Sequence, residues 1–298
     1  MHYSATMRSV QPPNANTKQP QLIAPPGACD THLHVFGSPE RYPLIADRNY
    51  NPDPHSTIDD YLIVQRALGL ERAVIVTGSA NGTNNQITLD ALAQRPGSFR
   101  ALALLDPAIE DRKLVHLKES GFTGFRVKVN GQGGLSFENA ETMAQRVSGF
   151  GWHVEFMSES ITEVLSSSRT LAALKMPFVF DHVAHAEPGK SIQDSDFIEL
   201  LRIFANEEHA WINLYSFYQL SRQGPPNYGD MAPVVQAIIE TRPDRVIWGS
   251  NWPHAGIRVA MPNDADLLDF LLAVAPEELI RKLILSDNPA RLYGWPIL

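Results

Sequence analysis

Cysteine is scarce in this 298-residue chain, where Cys29 is the only one. An internal disulfide is excluded, and the usage fits a reducing, cytoplasmic setting. Set in an apolar run, Cys29 reads as a small buried filler rather than a nucleophile. A surplus of positive charge is missing too, because 25 Lys and Arg face 33 Asp and Glu for a net charge of −8. That balance argues against a nucleic-acid partner, yet it permits a small anionic substrate held by a few local cations. No apolar run reaches the roughly 20 residues of a membrane-spanning helix, so no membrane partner is expected. No Gly-x-Gly-x-x-Gly turn follows any candidate strand, which removes the usual dinucleotide signature.

What is present is ordinary for a globular protein: 44% hydrophobic and 19% charged residues. Residues 1–27 hold five prolines among Asn, Gln and Ser, and read as a disordered leader rather than a signal peptide. Residues 28–298 read as one domain. Cys29-Asp-Thr-His-Leu-His-Val-Phe-Gly37 is a first buried strand, on which alternation sends His32, His34 and Asp30 to one face. A long loop from Tyr42 to Pro54 suggests a flap, and Ser56 is the expected cap of a helix reaching Leu68. Further strands follow at Arg72–Thr77, Arg100–Leu105, Gly124–Val129, Trp152–Met157, Pro177–His182, Ala210–Tyr215 and Arg245–Gly249, each trailed by a helical segment. Eight strand–helix beats match a (β/α)8 barrel of the α/β class, with a doubly wound open sheet as the alternative.

In such a barrel chemistry gathers where strand C-termini meet their loops. The unusual polar residues fall there: His32 and His34, Ser79, Arg126 with Lys128, Glu155, Asp181-His182, and the run Ser250 to His254. Taken singly each has a plainer reading. Glu155 can be a partner for a neighbouring cation, His185 a loop histidine, and His254 a capped loop residue.

Asp30-Thr-His-Leu-His34, Asp181-His182, Gly249-Ser-Asn-Trp-Pro253 and the closing Asp287-Asn-Pro-Ala-Arg-Leu-Tyr293 together resemble the amidohydrolase superfamily. The similarity runs from about Gly27 to the end and is strongest to its 2-pyrone-4,6-dicarboxylate lactonase and sugar-lactonase branch. The resemblance implies a (β/α)8 barrel whose catalytic histidines are His32, His34 and His182. It also implies substrate contacts at Ser79, Arg126, flap Tyr50 and Arg222. The second arginine that pyrone lactonases carry after strand four has no counterpart, and Lys128 is the nearest substitute.

Hydrolytic members keep an aspartate where this chain has Asn251. A neutral amide cannot take a proton and is a poor anchor for a divalent ion. The expectation is therefore catalysis by His32, His34, His182 and Asn251 with no metal and no cofactor. Tyr50, Ser79, Arg126, Lys128, Arg222 and His254 are the candidate substrate contacts. Losing a general base costs about 10²–10⁴-fold, a penalty heaviest for free water. A hydroxyl already on the substrate can have an effective molarity of ~10⁵–10⁸ M. The resemblance then points to galactarolactone-isomerising members: conversion of a small anionic sugar lactone, D-galactaro-1,5-lactone, to the 1,4-lactone in D-galacturonate catabolism. A metal-independent lactonase acting on a sugar-acid or muconate-type lactone is the alternative. A metal-dependent decarboxylase and a non-catalytic sugar-acid binder are the remaining rivals.

Overall fold

The computed structural model describes residues 8–9, 11–128, 134–190 and 193–298. Eight parallel strands follow one another around the sheet in chain order. They are β1 Cys29–Leu33, β2 Arg72–Val76, β3 Phe99–Leu104, β4 Phe122–Lys128, β5 His153–Met157, β6 Phe178–Phe180, β7 Ala210–Asn213 and β8 Val246–Ile247. Outside them lie α1 Ile58–Leu68, α2 Gln86–Ala93, α3 Asp111–Glu119, α4 Ala140–Arg146, α5 Ile161–Ala173, α6 Ser195–Asn206, α7 Phe217–Leu220, α8 Ala232–Thr241 and α9 Asp264–Val274. Strands such as β2, RAVIV, are buried along their whole length, as a parallel sheet covered by helices requires. The barrel interior at its lower end is filled by Cys29, Val74, Val76, Leu102, Val179 and Ile247, and α10 Asn288–Tyr293 plugs that end with Leu292 and Tyr293. Most of Asn130–Gly134, the loop expected after strand four, lies outside the described residues.

Two local expectations shift by one residue. Thr57, not Ser56, caps α1: its side chain accepts from Asp60 N–H, and Asp60 answers at the Thr57 backbone in a capping box. The Ser56 hydroxyl is buried with no hydrogen-bond partner among the described residues, and its carbonyl accepts from Phe36 N–H at 2.8 Å. Asp30 does not share the face of His32 and His34. The register of β1 against β2 slips between Asp30 and Leu33. A slip there turns Asp30 outward, where its carboxylate accepts from Tyr61 on α1, while His32 points inward.

The seam between β8 and β1 closes through backbone bonds beyond the last strand. Thr31 N–H donates to Trp248 O at 3.1 Å, Asn251 N–H to His32 O at 2.8 Å, and His34 N–H to Trp252 O at 2.7 Å. The Asp30 carboxylate rivets the same seam, accepting from Ser250 Oγ at 2.6 Å and Ser250 N–H at 2.9 Å. Burial lifts its pKa to about 6 despite these bonds. Part of the leader is fastened alongside, with Lys18 paired to Asp266 at 2.9 Å and Leu22 N–H donating to Asp269 at 2.8 Å.

Closure demands glycine at 249, because a Cβ there would sit 2.7 Å from His32 N and 2.8 Å from His32 Cβ. Gly249→Ala should therefore lower stability by about 1–3 kcal/mol in urea denaturation. Gly149, where an added Cβ meets nothing within 4 Å, is the control, and its alanine variant should stay within about 0.5 kcal/mol of wild type.

Candidate active site

The upper mouth of the barrel gathers imidazoles, one guanidinium and two carboxylates that the strand register places side by side. Arg126 on β4 lies directly opposite Glu155 on β5. Its Nε is 3.0 Å from Glu155 Oε1, and its Nη2 is 2.7 Å from Asp181 Oδ2 just past β6. Tyr215, just past β7, donates its hydroxyl to Asp181 Oδ2 at 2.8 Å. All four side chains are buried. Two nitrogens of the Arg126 fork are thus committed inside the protein.

The His-x-His pair stands against this cluster. His34 Nδ1 is 2.7 Å from Val76 O, so Nδ1 carries the proton and donates it. Its Nε2 is then a lone pair facing His32 Nε2 at 3.3 Å. His32 Nδ1 is 3.3 Å from Glu155 Oε2. Its ring also stacks on Tyr215 with centroids 3.8 Å apart. Burial, then the Arg126 charge, lowers the pKa of His32; burial and then His32 do the same for His34. Burial also pushes Glu155 up, past the pull of Arg126. Neutral imidazoles and a protonated Glu155 satisfy every contact in order: Glu155 O–H to His32 Nδ1, and His32 Nε2–H to His34 Nε2. Glu155 and His32 therefore share one proton between two fully buried side chains.

After β6 the chain makes a left-handed turn, with φ of 47°, 55°, 51° and 51° from His182 to His185. Each such residue costs roughly 1–2 kcal/mol, and none is glycine. The turn brings His182 and His185 onto one side, their rings stacked with centroids 5.3 Å apart. His182 Nδ1 sits 3.0 Å from Asp181 Oδ1. Burial works against the Asp181 carboxylate, but His182 and then Arg126 outweigh it and hold its pKa well below the usual range. His182 keeps 17% of its side chain exposed, more than His32 does, so its far edge faces the opening.

Lys128 shares the inward face of β4 with Arg126 and is buried. Among the described residues its Nζ has neither a hydrogen bond nor an ion pair. Burial and then the Arg126 charge lower its pKa to about 8. Tyr50 on the flap receives a hydrogen bond from Ser79 Oγ at 3.4 Å and packs edge-on against Phe36. Arg222 lies in the exposed loop after α7, its backbone N–H held by Asp230. No contact among the described residues ties its guanidinium to the imidazoles.

Asn251 adopts a left-handed backbone, φ 64°, and its Nδ2 donates to Ser216 Oγ at 2.9 Å and Tyr218 OH at 3.0 Å. His254 is completely buried, with Nδ1 at 2.8 Å from Tyr218 OH and Nε2 at 3.1 Å from Asp264 Oδ1. Both ring nitrogens of His254 are spent inside the protein, so it is not free to touch a substrate hydroxyl. Tyr215, Ser216, Tyr218 and Asp264 escaped the sequence reading. Tyr215 ends a strand and could have been flagged, whereas Asp264 is brought in only by loop packing.

For a metal, Asp181, His182 and His185 each offer one ligand atom, all within 4.8 Å of one another. His32 and His34 converge, but the strand-eight side chain beside them is the Asn251 amide, whose nitrogen is turned to Ser216 and Tyr218. That set does not match a centre of two imidazoles and a carboxylate.

Comparison with known proteins places the arrangement. A 4-sulfomuconolactone hydrolase of Hydrogenophaga intermedia is 36% identical over 92% of this chain and 91% of its own. A 2-pyrone-4,6-dicarboxylate hydrolase of Comamonas testosteroni is 31% identical over 95% and 94%. A D-galactarolactone isomerase of Agrobacterium fabrum is 26% identical over 92% and 93%. The crystal structure of an Agrobacterium tumefaciens protein without ligand superposes with a TM-score of 0.82 at 26% identity, covering 94% of this chain and all of that one. The amidohydrolase profile spans residues 29–295, and with the His-x-His strand, the strand-six histidine and the barrel in place, the chain belongs to the amidohydrolase family.

Proposed function

We propose that the protein opens a small anionic lactone by hydrolysis, with the His32–Glu155 pair as proton acceptor. The observation that carries this reading is the carboxylate behind His32, 3.3 Å from Nδ1. Removal of the shared proton leaves Glu155 ionised. His32 then donates Nδ1–H to it and turns a bare Nε2 to the site beside that of His34. A water hydrogen-bonded to His32 Nε2 gives its proton to His32 as it attacks the lactone carbonyl, Glu155 stabilises the imidazolium, and the imidazolium returns that proton to the ring oxygen as the acyl C–O bond breaks. Asn251, unable to take a proton, orients the attacking oxygen through its carbonyl. His182, with Nδ1 3.0 Å from Asp181 Oδ1, turns its exposed edge to the developing oxyanion. The substrate carboxylate pairs with Lys128, the buried cation without a partner among the described residues. The hydrolases of muconate-type and pyrone lactones at 36% and 31% identity support this choice of substrate class.

A second reading rests on Asn251. If the reacting centre has too weak a base for water, a substrate hydroxyl attacks instead, and D-galactaro-1,5-lactone becomes the 1,4-lactone. The isomerase at 26% identity is its counterpart. Turnover in ¹⁸O-water separates the two: label in a ring-opened acid supports hydrolysis, and an unlabelled five-membered lactone supports isomerisation.

Under the hydrolytic reading, Glu155→Gln should cut kcat by about 10²–10⁴-fold while the protein stays folded by circular dichroism. An unchanged kcat would remove Glu155 from the proton path. Activity should also be bell-shaped in pH. The rising limb reports loss of the proton shared by Glu155 and His32. The falling limb sets in above about 8, where Lys128 becomes neutral and KM for the anion climbs. Lys128→Met should erase that falling limb, and Lys128→Arg should move it to higher pH. If isomerisation is the native reaction, Asn251→Asp should add ring opening, seen by NMR as a free hydroxy acid.

A further inference from the structure

The bonds beneath Asn251 form a chain that runs in one direction. The Nδ2 group of Asn251 donates to Tyr218 OH at 3.0 Å. A phenol has one proton, and with its oxygen accepting from Asn251 that proton goes to His254 Nδ1 at 2.8 Å. Nδ1 is therefore bare, the ring proton sits on Nε2, and it is donated to Asp264 Oδ1 at 3.1 Å. Asp264 is the first residue of α9, with Asn263 as N-cap, and the positive end of the helix favours a carboxylate there. All four side chains are buried, Asn251 being the most exposed at 5%. The second Nδ2 proton is taken by Ser216 Oγ, so both amide N–H groups are spent. Among the described residues Asn251 Oδ1 has no hydrogen-bond partner.

We infer that Tyr218, His254 and Asp264 are positioning residues that set the amide of Asn251, leaving its carbonyl free as the acceptor for the hydroxyl or water that attacks. The role rests on Asn251 lying at the reacting centre, as the proposed function has it. An amide can present either a donor or an acceptor, and nothing in Asn251 itself decides which. Asp264 decides it from three bonds away, by holding His254 in the Nε2–H form. The consequence is specificity: the site welcomes a group that donates a hydrogen bond at this point and rejects an ether or carbonyl oxygen placed there.

A carboxylate at position 251 would reverse the chain, because it can only accept. Tyr218 would then donate to residue 251, and His254 would need a proton on Nδ1 while keeping Nε2–H on Asp264. Nitrogen NMR of ¹⁵N-histidine-labelled protein tests this without any substrate, with the His254 signals identified by their loss in His254→Gln. In the wild type one bare and one protonated ring nitrogen, Nε2, are expected; in Asn251→Asp at the same pH, both should be protonated. A wild-type His254 protonated at Nδ1, or a ring unchanged in Asn251→Asp, would overturn the relay. For the positioning role, Tyr218→Phe should lower kcat by about 10-fold or more with KM within about twofold, since Lys128 still holds the anion. An unaltered kcat would overturn it. Because the NMR measurement needs no turnover, failure of the relay and failure of the lactone reading are distinguishable.

Discussion

The upper barrel depends on keeping charge balanced where water is excluded. Arg126 brings one permanent positive charge between two carboxylates, Glu155 and Asp181, at 3.0 and 2.7 Å. Two full negative charges against one cation are not tolerated at that depth. The imbalance is absorbed by protons: Asp181 stays ionised beside Arg126 and His182, while Glu155 keeps a proton that it shares with His32. The burial that stabilises the barrel thereby creates a group poised to exchange a proton near neutrality. Removing Asp181 would leave Arg126 under-compensated, so the cluster is structural and chemical at once.

The second constraint is the β8–β1 seam. Only two residues of β8 pair in the regular way, and the rest of the closure is made by the segment from Trp248 to Trp252 bonding back to β1. This irregular closure holds Asn251 at the rim, with its N–H on His32 O, so that the amide and the imidazole pair are tied to one backbone seam. The left-handed backbones at Ser216, Asn251 and His254 are strained for residues other than glycine. Dense hydrogen bonding offsets them, in keeping with a site whose geometry is over-determined.

These two constraints assign different work to the two halves of the mouth. On the β4–β6 side lie the exchangeable proton, the unpartnered Lys128 cation and the exposed edge of His182. The β7–β8 side has only fixed hydrogen-bond directions. A lactone that offers a carboxylate to Lys128 and its ester carbonyl to His182 would have its attacking oxygen on the Asn251 side. Whether that oxygen comes from water or from the substrate changes the product, not the layout. The more similar relatives are hydrolases, and a carboxylate stands behind His32 while the Asn251 position has only an amide.

Periodicity and strand-end composition were enough to read eight βα beats, one barrel and the convergence of His32, His34, His182, Arg126, Lys128 and Asn251. Apolar strand runs and the polar residues that end them are local properties. Three features were not local. The outward turn of Asp30 came from a slip in pairing with β2, which alternation along one strand cannot reveal. Arg126 was legible as a cation, but its capture by Glu155 and Asp181 is set by register between three strands. His254 looked like a substrate contact because a ring at a strand-eight loop is placed for one. Only folding brought Tyr218 and Asp264 to its two nitrogens and spent both. Residue type and order determined which chemistry was available, and tertiary packing decided which atoms were left free to perform it, because a hydrogen-bonding group buried against a partner is no longer offered to a substrate.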